Sequence, residues 1–87
     1  SNSNMGIKMQ QYRYMKKREK ARFRTKRILE RRSPLTIEEI YENMIDDEFK
    51  WTPLNTNQLS KLIRGQFEVT KVLVKGGFQN LYHLKEE

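Results

Sequence analysis

Residues 54–84, LNTNQLSKLIRGQFEVTKVLVKGGFQNLYHL, form the stretch whose reading decides the fold. Asn55 or Thr56 can cap a short helix, and Gln58, three residues after Asn55, can answer the cap reciprocally. Leu59, Leu62 and Ile63 fall at the spacing of one buried helical face. Asn57, Gln58, Ser60, Lys61 and Arg64 are left on the remaining surface, where their side chains can hydrogen-bond base edges or phosphates. Gly65 stops the helix. Two strand-like runs, Val69–Val74 and Asn80–Leu84, then flank Lys75-Gly76-Gly77-Phe78-Gln79. A two-residue turn at Gly76-Gly77 pairs Lys75 with Phe78, whereas a longer loop pairs Lys75 with Asn80. The longer loop is preferred, because it puts Leu73, Tyr82 and Leu84 on one face and Val72, Val74 and Leu81 on the other. Phe78 is either a core residue or the exposed tip of the hairpin.

The 87 residues contain no Cys and two Pro and carry a net charge of +7. That length is one domain. Ser1–Asn4 ahead of Met5 read as a cloning remnant. Missing cysteine excludes disulfides, thiolate catalysis and Cys-based zinc sites. No apolar run approaches membrane-spanning length, and the N-terminus has no secretory core. The charge is unevenly placed. Residues 1–33 hold twelve basic and two acidic residues, a balance of +10, and the remainder holds six against nine, a balance of −3. A basic arm or helical extension over 1–20 joined to a domain over 21–87 is therefore expected. Such a segment favours polyanions.

Between about Gln10 and Arg32 there is no Gly or Pro, and helix formers dominate, which favours a helix, the alternative being a frayed, solvated charged segment. Tyr14, Ala21, Thr25, Ile28 and Leu29 gather on its core side, within a sector of about 100°. Met9, Tyr12 and Phe23 project oppositely, as an exposed aromatic patch that can serve a partner or a homodimer. Lys16, Lys17, Arg18, Lys20, Arg22, Arg24, Lys26 and Arg27 are the candidate phosphate contacts. Ser33-Pro34 ends this helix, and Leu35 can add a single β-bridge. Thr36 and Glu39 form a capping box for the next helix, whose Ile37, Ile40, Tyr41, Met44 and Ile45 repeat at core spacing. Phe49 and Trp51 plug the corner that follows.

With Ile28-Leu29 and Pro34-Leu35-Thr36 ahead of it, the order helix, loop, helix, glycine, hairpin over Thr36–Leu84 resembles the winged helix-turn-helix superfamily. The strings RILERRSPLTIEEIYENM and NTNQLSKLIRG are similar to its first two helices and its third. The resemblance covers about residues 21–84, and the long connection Asp46–Pro53 departs from a tight helix-turn-helix. It implies an α+β domain of three helices and a C-terminal hairpin wing, with the third helix in the major groove of DNA. By position, Asn57, Gln58, Lys61 and Arg64 would read bases. Asn55, Thr56 and Ser60 would cap the helix or hold phosphate, and Lys71, Lys75 and Gln79 would serve the wing.

No enzyme is expected. His83 is the only histidine, Gly76-Gly77 is no phosphate loop, and about 60 folded residues leave little room for a pocket. Asp46-Asp47-Glu48 lacks the spacing of a cation loop, so neither metal nor cofactor is expected. The leading expectation is a duplex-DNA-binding regulator or a chromatin or replication accessory, cytoplasmic or nucleoid-associated (nuclear in a eukaryote). DNA is favoured over RNA, and no membrane partner is expected. The alternatives are a protein-docking module anchored on Tyr12, Phe23 and Phe78, and an RNA- or ribosome-binding protein.

Overall fold

In the computed structural model, residues 12–46, 49 and 51–84 are described. Three helices, α1 (Lys17–Arg31), α2 (Ile37–Asp46) and α3 (Thr56–Leu62), precede a hairpin of β1 (Glu68–Val74) and β2 (Gly77–His83). The element order agrees with winged-helix topology.

The predicted single N-terminal helix is interrupted. Met15 N–H closes a turn onto the Tyr12 carbonyl at 3.1 Å, and Lys16 is extended. α1 then restarts, with the Lys16 N–H donating to the Glu19 carboxylate at 3.1 Å. Its interior stripe is Ala21, Arg24, Thr25, Ile28 and Leu29, the i, i+3, i+4, i+7, i+8 pattern of a core-facing helix. Because the break resets the helical phase, Tyr14 leaves the expected core side and is 84% exposed, whereas Tyr12 is buried. The exposed patch expected around Tyr12 is therefore absent, and Met9 lies outside the described residues. α1 also runs unbroken across position 20, so the basic segment and the domain share one helix.

α2 starts at the expected box. Thr36 N–H donates to Glu39 Oε1 at 2.9 Å, and Glu39 N–H donates to Thr36 Oγ1 at 3.2 Å. Ile40 and Met44 are buried, with Ile37 and Tyr41 packed beside them. Ile45, expected in the core, sits at the edge of that stripe and is 58% exposed. The Tyr41 hydroxyl donates to the Pro53 carbonyl at 2.8 Å and so ties the connection ahead of α3 back onto α2. Phe49 is buried and Trp51 packs against the core, so both fill that corner.

Leu35 makes the expected single bridge. Its N–H donates to the Tyr82 carbonyl at 3.1 Å and its carbonyl accepts from Tyr82 N–H at 2.7 Å. The bridge draws the base of β2 against the helices, where Tyr82 joins Leu29, Ile40, Leu59 and Ile63 in the core. The register matches neither sequence alternative, because Val74 lies opposite Gly77 across a two-residue turn at Lys75-Gly76. Gly76 and Gly77 have φ of 98° and 137°, and only glycine takes such angles without strain. Placing both there fixes the turn one residue earlier than Gly76-Gly77. The slide moves residues in whole pairs, so the two faces keep the expected members. Val69, Lys71 and Leu73 share a face with Phe78, Asn80 and Tyr82.

Candidate nucleic-acid interface

α3 is set by its own caps. Asn55 Oδ1 accepts from Gln58 N–H at 2.9 Å, and Gln58 Oε1 accepts from Leu54 N–H at 2.5 Å. Asn55 and Gln58 are both candidate DNA contacts by sequence, but their side chains are already engaged in starting the helix. Leu59 and Ile63 face the core. Asn57, Ser60 and Lys61, at i, i+3 and i+4, make one outward stripe, and Arg64 is exposed in the turn just past the helix. Gly65, at φ 77°, ends the turn beyond it.

Across from Asn57 and Ser60, though not from Lys61 or Arg64, stands the β1–β2 hairpin. An open groove of about 390 Å³ runs between them, with Thr56, Asn57 and Ser60 of α3 on one wall and Lys75, Gln79 and Asn80 of the hairpin on the other. Ile37 and Glu38, at the start of α2, close one end. Glu38 is the carboxylate of this lining, so an anion is better accommodated towards Lys75. Lys71, on the same hairpin, is exposed but does not line the groove. Sequence reasoning missed Asn80 and Glu38. Asn80 could have been found from the alternation that puts it on the side of Tyr82.

The basic segment meets the other end of α3. Arg18 Nη2 donates to the Arg64 carbonyl at 3.1 Å, which brings the first turn of α1 to the carboxyl end of α3. A cation there also complements the helix dipole. Lys16 at the cap and Lys17, Arg18, Arg22, Lys26 and Arg27 along α1 are exposed.

One predicted phosphate contact, Arg24, is placed differently, and two others, Lys20 and Arg27, lie over aromatic rings, with Arg27 still exposed. Arg24 is 1% exposed. It donates to the Met44 carbonyl at 2.8 Å and the Tyr12 hydroxyl at 3.2 Å, and its guanidinium also bonds the Trp51 carbonyl. It clamps the end of α2 and the following connection onto α1, and is not presented to phosphate. Lys20 Nζ lies 5.2 Å from the Tyr12 ring centre, and Arg27 lies 5.3 Å from that of Phe49 and 5.7 Å from that of Phe23. Beneath them Tyr12 and Phe49 pack with ring centres 4.5 Å apart, and Phe23 meets Phe49 edge-on at 5.8 Å. This layer is intramolecular cation–π packing. The expectation that Tyr12 contacts a partner is therefore corrected, and Phe23 is half-buried at the rim. Arg24 was legible as the one charged member of the 21/24/25/28/29 stripe.

Comparison with family profiles, curated proteins and solved structures returns no match in any of the three. The site therefore rests on its own chemistry. Among the described residues, no cluster of three His, Cys, Asp or Glu side chains could hold a metal, and Asp47 and Glu48 lie outside them. His83 Nε2 is 2.8 Å from Thr70 Oγ1, a contact within the hairpin. No helix among the described residues is long and apolar enough to cross a membrane.

Proposed function

We propose that this chain is a non-enzymatic winged-helix protein that binds duplex DNA, with α3 and the wing meeting the grooves and the exposed face of α1 meeting phosphates. One observation carries this reading: the polar side chains of α3 and of the hairpin form the two walls of one open groove, and the Arg18–Arg64 contact brings the first turn of α1 to the far end of the same helix. A seven-residue helix is about 10 Å long, enough to set Asn57, Ser60 and Lys61 against base edges across a major groove about 12 Å wide, with Arg64 just beyond its end. Asn and Arg are side chains that pair bidentately with adenine and guanine there. Phosphate contacts supply most of the affinity and α3 supplies discrimination.

The competing docking-module reading loses its first anchor, because Tyr12 is inside the fold. The test is duplex binding measured across salt concentrations. Replacing Lys17, Arg22 and Lys26 together with Gln should flatten the log–log salt dependence by about 0.9 for each phosphate that is no longer neutralised. Lys61→Ala and Arg64→Ala should weaken sequence preference. An unchanged slope, or tighter binding to structured RNA than to duplex DNA in competition, refutes the proposal.

A further inference from the structure

Leu73 and Phe78 are the feature of the wing that folding does not explain. They lie directly opposite each other next to the turn and are 75% and 73% exposed. Neither belongs to the core cluster or to the residues packed against it. They occupy the face that carries Tyr82 into the core at the base of β2, so towards the tip that face looks out beside α3. Phe78 itself lines the groove. Directly opposite residues on one face of a hairpin have Cβ atoms about 4.5–5.5 Å apart, so the two side chains make one continuous apolar blade.

The surroundings of the blade identify its occupant by charge. Lys71 shares its face and Lys75 sits at the turn. The one carboxylate of the hairpin is Glu68, at its far end, and Glu38 of α2 lines the same groove as Phe78. Two copies meeting blade to blade would bring these lysines together, and like charges oppose such pairing. A polyanion with an apolar interior fits the same surface. Stacked bases between two phosphate backbones have that construction.

We infer that Leu73 and Phe78 form a wedge that enters the minor groove of DNA, inserts at a base step and kinks the duplex. This rests on the DNA-binding reading above. Lys71 and Lys75 flank the wedge to meet phosphates on either side. Asn57, Ser60 and Gln79 line the passage between wing and α3, where the backbone separating the two grooves runs. Apolar wedges of Phe or Leu partly unstack a step and bend DNA by about 20–90° towards the major groove. Insertion costs least at flexible pyrimidine–purine steps, so sites with a TA step are preferred over stiff A-tracts.

The experiment uses the full chain and an end-labelled duplex of about 30 base pairs carrying a central TA step. Energy transfer reads the bend and anisotropy reads binding. The wild type should bend the duplex. Phe78→Ser and Leu73→Ser should bind within about tenfold of wild type, because phosphate contacts hold the affinity, yet leave the DNA straight. Phe78→Leu, which keeps an apolar edge, should restore the bend. Unchanged melting temperatures should accompany all three, since both positions are exposed. A straight duplex under bound wild type overturns the wedge and leaves the DNA-binding reading standing. So does a Phe78→Ser protein that bends DNA like wild type. Self-association that Phe78→Ser abolishes while the bend persists assigns the pair to a second copy and also overturns it. If no form binds duplex DNA, both proposals fall.

Discussion

Replacing Arg24 with Met removes the guanidinium while keeping most of the volume of the stem. Two carbonyls, Met44 and Trp51, are then deprived of a charged donor in surroundings that are buried or nearly so. Hydrogen bonds to charged groups contribute about 1.5–3 kcal/mol each, so the gross loss is about 3–6 kcal/mol. Releasing the guanidinium from a desolvated site offsets part of that, which leaves about 2–4 kcal/mol. A domain of this size has about 4–13 kcal/mol in total at 0.05–0.15 kcal/mol per residue. Arg24→Met should therefore lower the melting temperature by about 10–30 °C, at roughly 4–8 °C per kcal/mol. Arg24→Lys should fall between, because a compact ammonium cannot span both carbonyls as the planar fork does. Urea titrations followed by the fluorescence of Trp51, the single tryptophan, give the value directly. If Arg24→Met shifts stability by less than about 0.5 kcal/mol, the scale of an ordinary surface change, the clamp does not hold the helices together.

Two further substitutions test the local reasoning. Thr25 is fully buried, and among the described residues its hydroxyl has no hydrogen-bond partner, so Thr25→Val should stabilise by about 0.5–1 kcal/mol in the same titration. Asn55→Ala removes the cap of α3 and should cost about 0.5–2 kcal/mol, with amide exchange rising first at Asn57 and Gln58.

The parts of the fold legible in sequence were those governed by neighbours within four residues. The Thr36–Glu39 box, the Asn55 cap, the Gly65 stop and the Leu59–Ile63 face all depend on local geometry, and the structure carries each of them. The break at Met15–Lys16 was not legible. No Gly or Pro marks it, and what stabilises it is Tyr12 reaching Phe49, thirty-seven positions away. The hairpin register was open in the sequence as well: two loop lengths fit the string Lys75-Gly76-Gly77, and the structure instead turns at Lys75-Gly76, with the positive angles falling on Gly76 and Gly77. Within the site, composition pointed to charge, whereas the position of each charge depended on helical phase. That is why Arg24 was assigned to phosphate while its place in the apolar stripe went unread.

α1 therefore has two occupations that share one helix. Ala21, Arg24, Thr25, Ile28 and Leu29 face inward, and Lys17, Arg22 and Lys26 face out. A basic segment of this kind is not a detachable arm. Removing residues through 20 would take away Tyr12 and the start of α1 along with the charge, and any loss of binding would be confounded with unfolding. The two faces can instead be separated by point substitution. Gln at Lys17, Arg22 and Lys26 should change the salt slope with little change in stability, since exposed charges contribute little to folding. Met at Arg24, assayed well below its melting temperature, should change stability and leave the slope intact. If the Arg24 substitution flattens the slope as much as the surface ones do, the guanidinium reaches phosphate, and the division of α1 into a folding face and a binding face is wrong.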